Sequence, residues 1–162
     1  DRGEGVIPVE RYRVAWLYVL PLFDLRIADW LIQEHQAVIV VDNFSFVTPG
    51  VDLDPEDPVD FLARKPMKWG FVTWSFSPNE TGGFATGMAN LCRDYKADVA
   101  IALIHWSCQQ YCGNMRMAKD EIQKLGIPVL GVNGDLLDAR VCSSDQMKAQ
   151  ISEFFSLIQA KK

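Results

Sequence analysis

Between Ala97 and Ile122 an apolar run delivers His105, Cys108 and Cys112 in close succession, and a helix is expected to leave their loop at Gly113 and Asn114. Thiolates are favoured ligands of zinc and of iron-sulfur clusters, and the N–H groups of a helix N-terminus stabilise a thiolate or a bound anion. The Cys-x3-Cys spacing excludes part of that chemistry. It lacks the paired Cys-x2-Cys knuckles of structural zinc and the dense cysteine run of a ferredoxin, which argues against a complete four-thiolate site within this domain. It is also one residue too long for a thioredoxin-like centre. Cys108 therefore reads as a ligand or reactive thiol, or as an inert buried residue. His105, ending a strand, reads as an acid, a base or a hydrogen-bond donor to substrate, or as a structural histidine with a satisfied ring. Asp135, Asp138 and Arg140 form either an anion-binding arrangement or a loop ion pair. Cys92 reads as core, because Phe84, Met88, Leu91, Cys92 and Tyr95 share one helical face.

Such a loop needs a frame. Val14 to Leu20, closed by Pro21, is expected as a fully buried first strand, followed by a helix with Asp24 as N-cap and Leu25, Ala28, Leu31 and Ile32 as its apolar stripe. Ala37 to Val41 is the second strand, and the short strand-helix-strand connection makes a right-handed crossover the default. From Asp42 to Asp57 the composition becomes that of a long loop. Its acidic residues Asp52, Asp54, Glu56 and Asp57 lack the alternation and central glycine of a calcium loop and read as a solvated acidic stretch. Pro58 to Lys65 is a short helix entered through proline. Pro66 to Gly83 carries Trp69, Phe71, Trp74 and Phe76 without a clear period, either as a strap over the sheet edge or as a surface that docks something else. A helix from about Thr81 to Tyr95, a third strand over Asp98 to Ile104 and a fourth over Ile127 to Val132 follow. The helix between those two strands turns Met115, Ala118, Ile122 and Leu125 inward and stops at Gly126. A last amphipathic helix is capped by Ser144. Four strands alternating with helices predict an α/β fold, a doubly wound four-stranded parallel sheet of order 2-1-3-4 with helices on both faces. In that order the loop Pro21 to Phe23 flanks the loop His105 to Gly113 at the topological switch, the usual ligand position in such sheets.

Composition narrows the function classes. With 162 residues and 49% apolar content, a single α/β domain over residues 1–162 is expected. A net charge of -5 gives no basic footprint for a phosphate backbone, so nucleic acid is not the expected partner. No apolar run reaches the roughly 18 residues of a membrane span. Four cysteines are too few and too unevenly spaced for a secreted disulfide scaffold, and a cytoplasmic location is expected. The opening DRGEGVIPVER has no hydrophobic signal region, and the expected reading is a fragment of a longer chain.

The run HWSCQQ, then a helix, then LGIPVLGVNGDLLDAR, then SSDQMKAQISEFFSLI resembles the carboxyl-terminal domain of the 2-hydroxyacyl-CoA dehydratase subunits, a family that includes the benzoyl-CoA reductase subunits. Arg13 to Pro21, EHQAVIVVDN, DPEDPVDFLARK and YKADVAIALIHWSC occur in the same order, so the resemblance spans nearly the whole chain. It implies a related second subunit, and a [4Fe-4S] cluster in each subunit with cysteines drawn from more than one domain. Cys108 matches the family cysteine after the third strand and is the implied metal ligand. Cys112 and Cys142 fall outside the family pattern, and Cys112 is retained as a second candidate ligand. The resemblance further implies an ATP-dependent activator protein as electron donor. It implies an acyl-CoA substrate whose thioester carbonyl is reduced to a ketyl radical, from which the 2-hydroxyl leaves. His105 is the candidate catalytic side chain. The family's amino-terminal part, with its other cysteines, is absent, so the chain alone is expected to be inactive. The alternatives are reduction of an aromatic acyl-CoA, as in the benzoyl-CoA reductase type, and a non-catalytic accessory domain whose aromatic strap binds a partner.

Overall fold

A computed structural model of the chain describes residues 5, 7–44, 57–67 and 83–160. Its strands are β1 (Tyr12–Leu17), β2 (Ala37–Asp42), β3 (Val99–His105) and β4 (Val129–Gly134), all paired in parallel in the order β2-β1-β3-β4. The described helices are α1 (Ile27–His35), α2 (Pro58–Met67), α3 (Gly83–Asp94), α4 (Gln109–Lys124) and α5 (Ser144–Ala160). From β1 the chain steps through α1 to β2, and from β3 it steps the other way through α4 to β4. Right-handed crossovers then place the two helices on opposite faces. Helix α5 packs beside α1 and α3 beside α4, so the expected doubly wound α/β architecture is the one observed.

Both faces of the sheet are covered, which is why its central strands are apolar throughout. Ala15 pairs with Ala100 in register, and these residues with Ala102 form a low surface under α3 and α4. Trp16 pairs with Ile101 and, with Leu103, fills the other face, all three being fully buried. Removing each such side chain from water contributes about 1.5–3 kcal/mol. Cys92 is completely buried beside Met88 and Leu91, as its helical spacing indicates, and burial pushes its thiol up to about 12.

The element ends differ from the sequence expectation where side chains, rather than periodicity, decide them. Strand β1 stops at Leu17 because Tyr18 turns to a positive φ of 92°. Asp24 is not an N-cap: α1 begins at Ile27, and the buried Asp24 carboxylate instead accepts from the Arg26 backbone and guanidinium. A hydrogen bond from Ser144 is the main cause of its lowered pKa, and Lys148 Nζ stands 3.8 Å away, so the residue ties the start of α1 to α5. Helix α5 is capped by Ser143 rather than Ser144. The Ser143 hydroxyl accepts from Gln146 N–H at 3.3 Å while Gln146 Oε1 accepts from Ser143 N–H at 2.9 Å, a reciprocal capping box. Asp57 caps α2 by accepting from the N–H groups of Val59 and Asp60. Tyr95 and Leu125, expected on inward faces, lie beyond the last turns of their helices and are exposed, while Gly126 ends α4 in the left-handed region with φ of 78°. Asp52, Asp54 and Glu56 and the aromatic strap with Trp69, Phe71, Trp74 and Phe76 lie outside the described residues. Among the described residues no helix is long and apolar enough to cross a membrane.

His35 joins α1 to α5. Its ring stacks on Phe155 at 4.7 Å, and its Nε2 lies 3.1 Å from Ser152 Oγ. Burial lowers its pKa against an opposing effect of Glu34, so the folded state holds the imidazole neutral. The sign follows by linkage: this contribution is complete above the unfolded value of 6.5 and is lost as pH falls through the lowered folded value. Denaturant titrations should show stability declining below about pH 6.5, and His35→Gln should remove much of that pH dependence. An unchanged pH profile in the variant would refute the assignment.

Candidate functional site

Each of the four strands ends, at the carboxyl edge of the sheet, in a polar or titratable side chain. In spatial order these are Asn43 after β2, Tyr18 after β1, His105 at the end of β3 and Asp135 after β4. Each meets the next. Asn43 Oδ1 accepts from the backbone N–H of Tyr18, the Tyr18 ring stacks on His105 with centroids 5.8 Å apart, and His105 Nδ1 lies 3.5 Å from Asp135 Oδ2.

Strand alternation would send residue 18 toward α1 and α5, the face on which Tyr12 packs against Phe155. The positive φ reverses that direction, and the Tyr18 ring lies 4.3 Å from Tyr111 of α4 and edge-on to Phe44 at 5.3 Å. A bulky residue in this region costs about 1–3 kcal/mol and persists only where its surroundings hold it. The fully buried Asn43 provides one hold, and the aromatic neighbours provide the others. Burial first, and then a hydrogen bond to Cys108, push the Tyr18 phenol well above its ordinary ionisation range.

Helix α4 begins at Gln109, earlier than the expected Gly113. Tyr111 anchors its first turn in the core, a Cβ on Gly113 would meet nothing within 4 Å, and Asn114 Nδ2 donates back to the Gln110 carbonyl at 2.9 Å. A glycine and an asparagine that looked like a helix start are thus tolerated inside the helix. Cys108 becomes the N-cap residue, half-buried, and its side chain makes no capping bond. Cys112 sits one turn along, where its thiol donates to the His105 carbonyl at 3.1 Å. That carbonyl also accepts the Cys108 N–H at 3.0 Å. Burial, and then the proximity of Cys108, raise the Cys112 pKa. Cys142 is buried, and its thiol is raised for that reason.

Asp135 is shaped by its own loop, accepting from the N–H groups of Leu137 and Asp138 at 2.8 and 3.0 Å, and these bonds lower its pKa. It faces His105 at ion-pair distance without hydrogen-bond alignment, and His105 Nδ1 has no hydrogen-bond partner among the described residues. Arg140 is held by Asp138 at 2.6 Å, lowering that carboxyl to about 2, so these two residues form the loop ion pair rather than an anion site. The loop after β1 reaches further than expected. Leu22 N–H donates to the Leu136 carbonyl at 2.8 Å, joining the loop after β4. A groove of about 490 Å³ between α4 and β4 passes Cys112, Arg116, Lys119 and Asn133, while a larger one of about 660 Å³ lies at the opposite edge, lined by Tyr12, Ile127 and Leu157 and remote from this chemistry.

The structure thus brings His105, Cys108 and Cys112 together, and adds Tyr18, Asn43, Tyr111 and Asp135, of which only Asp135 was singled out in the sequence. Among the described residues no group of three or more His, Cys, Asp or Glu side chains could hold a metal ion. Cys108 and Cys112 therefore do not complete a ligand set there. Cys108 nevertheless fits the part of one contributed ligand, with a thiol free of capping duty at a helix N-terminus.

The family described as 2-hydroxyglutaryl-CoA dehydratase, D-component, matches residues 1–158, and the chain belongs to this family. It is accordingly a component of a 2-hydroxyacyl-CoA dehydratase type of enzyme, which implies a partner subunit. No curated protein matches it.

Asn43 tests the geometry of the edge. Asn43→Ala leaves the Tyr18 N–H without its acceptor, and chemical denaturation should show a loss of about 1–3 kcal/mol. A loss near zero would mean that residue 18 holds its conformation without that bond.

Proposed function

We propose that this chain contributes Cys108 as one thiolate ligand of a [4Fe-4S] cluster, in a 2-hydroxyacyl-CoA dehydratase component that eliminates water from an acyl-CoA. The observation that carries the reading is the position of Cys108, at the N-cap of α4 on the carboxyl edge and beside His105 and Tyr18. Cys112 is the poorer ligand, because its thiol is engaged by the His105 carbonyl and burial opposes its ionisation. Cys92 and Cys142 are buried. When bound, such a cluster supplies single electrons to the thioester carbonyl of the substrate. The electron source is the ATP-dependent activator protein implied by the family resemblance, and the remaining ligands come from outside the described residues.

The chain's own residues orient and protonate. Asp135 Oδ2 stands 3.5 Å from Nδ1 on one side of the ring, leaving Nε2 as the atom that donates a proton to the departing 2-hydroxyl. Tyr18 covers one face of that ring. Leu22, Trp106 and Leu137 stand exposed at 51%, 63% and 72% on the loops of the same edge. A related subunit closing on them would exclude water from the reacting groups. The dehydratase reading is preferred to reduction of an aromatic ring because the matching family is a dehydratase component.

Two measurements test this on the component produced anaerobically with its partner. Cys108→Ser should lose most of the iron with an unchanged circular dichroism spectrum, while Cys92→Ser and Cys142→Ser keep theirs. Retention of full iron by Cys108→Ser, with loss in Cys112→Ser, would move the ligand to Cys112. His105→Gln should keep its iron and lose about 10²–10⁴-fold in turnover, the usual contribution of a positioned acid.

A further inference from the structure

We propose that the groove between α4 and β4 holds the pantetheine arm and diphosphate of the acyl-CoA, with Arg116 and Lys119 as the phosphate-binding residues. The proposal rests on the reading of an acyl-CoA as the substrate and adds where on this chain its long arm lies. A parallel strand is ordinarily apolar on both faces because helices cover both. Strand β4 obeys this on its α5 face, where Val132 is fully buried and Gly134 faces Cys142 and Met147. On its α4 face it does not, and Gly131 and Asn133 are exposed there. Gly131 pairs in register with Ala102 of β3, so the floor between helix and edge strand is low, and a groove of about 490 Å³ stands open above it. Among the described residues a Cβ on Gly131 would meet only the Ile104 side chain, at 3.4 Å, and nothing from α4 within 4 Å.

The groove begins at the proposed acid, because Cys112 in its wall donates to the His105 carbonyl at 3.1 Å. Further along α4 the wall carries Arg116 and Lys119, both exposed and spaced as neighbours on one helical face. Elsewhere Arg13, Arg26, Arg64, Arg93 and Arg140 each hold a carboxylate of the chain. Arg116 and Lys119 hold none among the described residues, although the chain carries a net charge of -5 and Asp120 lines the same groove. Two cations left without an anion on one wall are complementary to a diphosphate. From Cys108 to Lys119 the helix covers about 16 Å at about 1.5 Å per residue, the reach of an extended pantetheine arm. A thioester beside His105 and Cys108 therefore puts the phosphates next to these two side chains. The narrow arm passes over Ala102 and Gly131, and Asn133 offers its side-chain amide to the amides of the arm.

The test uses the component produced anaerobically with its partner, titrated calorimetrically with an acyl-CoA that lacks the 2-hydroxyl and cannot react, and with the matching acyl-pantetheine, which has no phosphates. Iron content and circular dichroism are the controls for folding. The double variant Arg116→Ala, Lys119→Ala should weaken the acyl-CoA by about 10–100-fold, the usual worth of hydrogen bonds to a charged group, and leave the acyl-pantetheine unchanged. Gly131→Leu, which puts a side chain into the groove, should weaken both thioesters by about tenfold or more. Parent affinity for the acyl-CoA in either folded variant overturns the proposal, and so does an equal loss for both thioesters in the double variant. If Gly131→Leu does not fold, the double variant decides alone, since both of its side chains are exposed. An acyl-CoA that the parent component does not bind refutes the acyl-CoA reading and the groove together. Tight binding by the parent that the double variant retains refutes the groove alone.

Discussion

The pairing of β1 with β3 begins with a reciprocal pair of bonds between residues 85 apart in sequence: Arg13 N–H to the Asp98 carboxylate and Asp98 N–H to the Arg13 carbonyl, each at 2.8 Å. The Arg13 guanidinium also holds the Tyr95 carbonyl just beyond α3, so the same side chain joins β1 to the segment that leads into β3. Everything at the carboxyl edge follows from this pairing. The helices that leave β1 and β3 depart to opposite faces, neither roofs the gap between the two strand ends, and Tyr18 and His105 meet there.

At that gap the molecule accepts local strain in exchange for a fixed geometry. Holding Tyr18 at positive φ costs about 1–3 kcal/mol. Its three ring contacts, at about 0.5–1.5 kcal/mol each beyond area burial, offset that cost. The offset is complete only if His105, Tyr111 and Phe44 all stay in place. The edge is therefore cooperative: the same contacts that permit the unusual backbone also restrict the imidazole, and the buried Asn43 and Tyr111 leave little room for an alternative packing.

The strand order and most of the inward positions of α3, α4 and α5 were legible, because apolar runs and helical spacing report burial directly. Where legibility failed, the deciding interaction lay far away in sequence. The φ of Tyr18 answers to Asn43, 25 positions later, and the VAWLYVL run gives no sign that its strand will break in the middle. Gly113 and Asn114 carry the local signature of a helix start, but Tyr111 pulls that start forward by entering the core. Ser144 has the composition of a cap, and its hydroxyl is instead spent on Asp24 while Ser143 does the capping. A rule of position would have found more of the site than any motif did. Reading the polar residues at or just beyond each strand's carboxyl end points to Asp42 and Asn43, Tyr18, His105 and Asp135.

The vacant capping role of Cys108 carries an evolutionary consequence. Serine, threonine, aspartate and asparagine are the residues that stabilise an N-cap, each worth about 1 kcal/mol over a side chain that makes no bond there. A cysteine that makes none is a standing loss of stability at the start of α4. Directed evolution or consensus design that scored only thermal tolerance would drift toward serine or aspartate at this position, and the drift would be rewarded while the thiol disappeared. Under the proposed role of Cys108 as a ligand, position 108 is a place where robustness and chemistry pull against each other. On that proposal a lineage that had given up the reaction would be free to collect the small gain, and the residue found there would separate working descendants from retired ones.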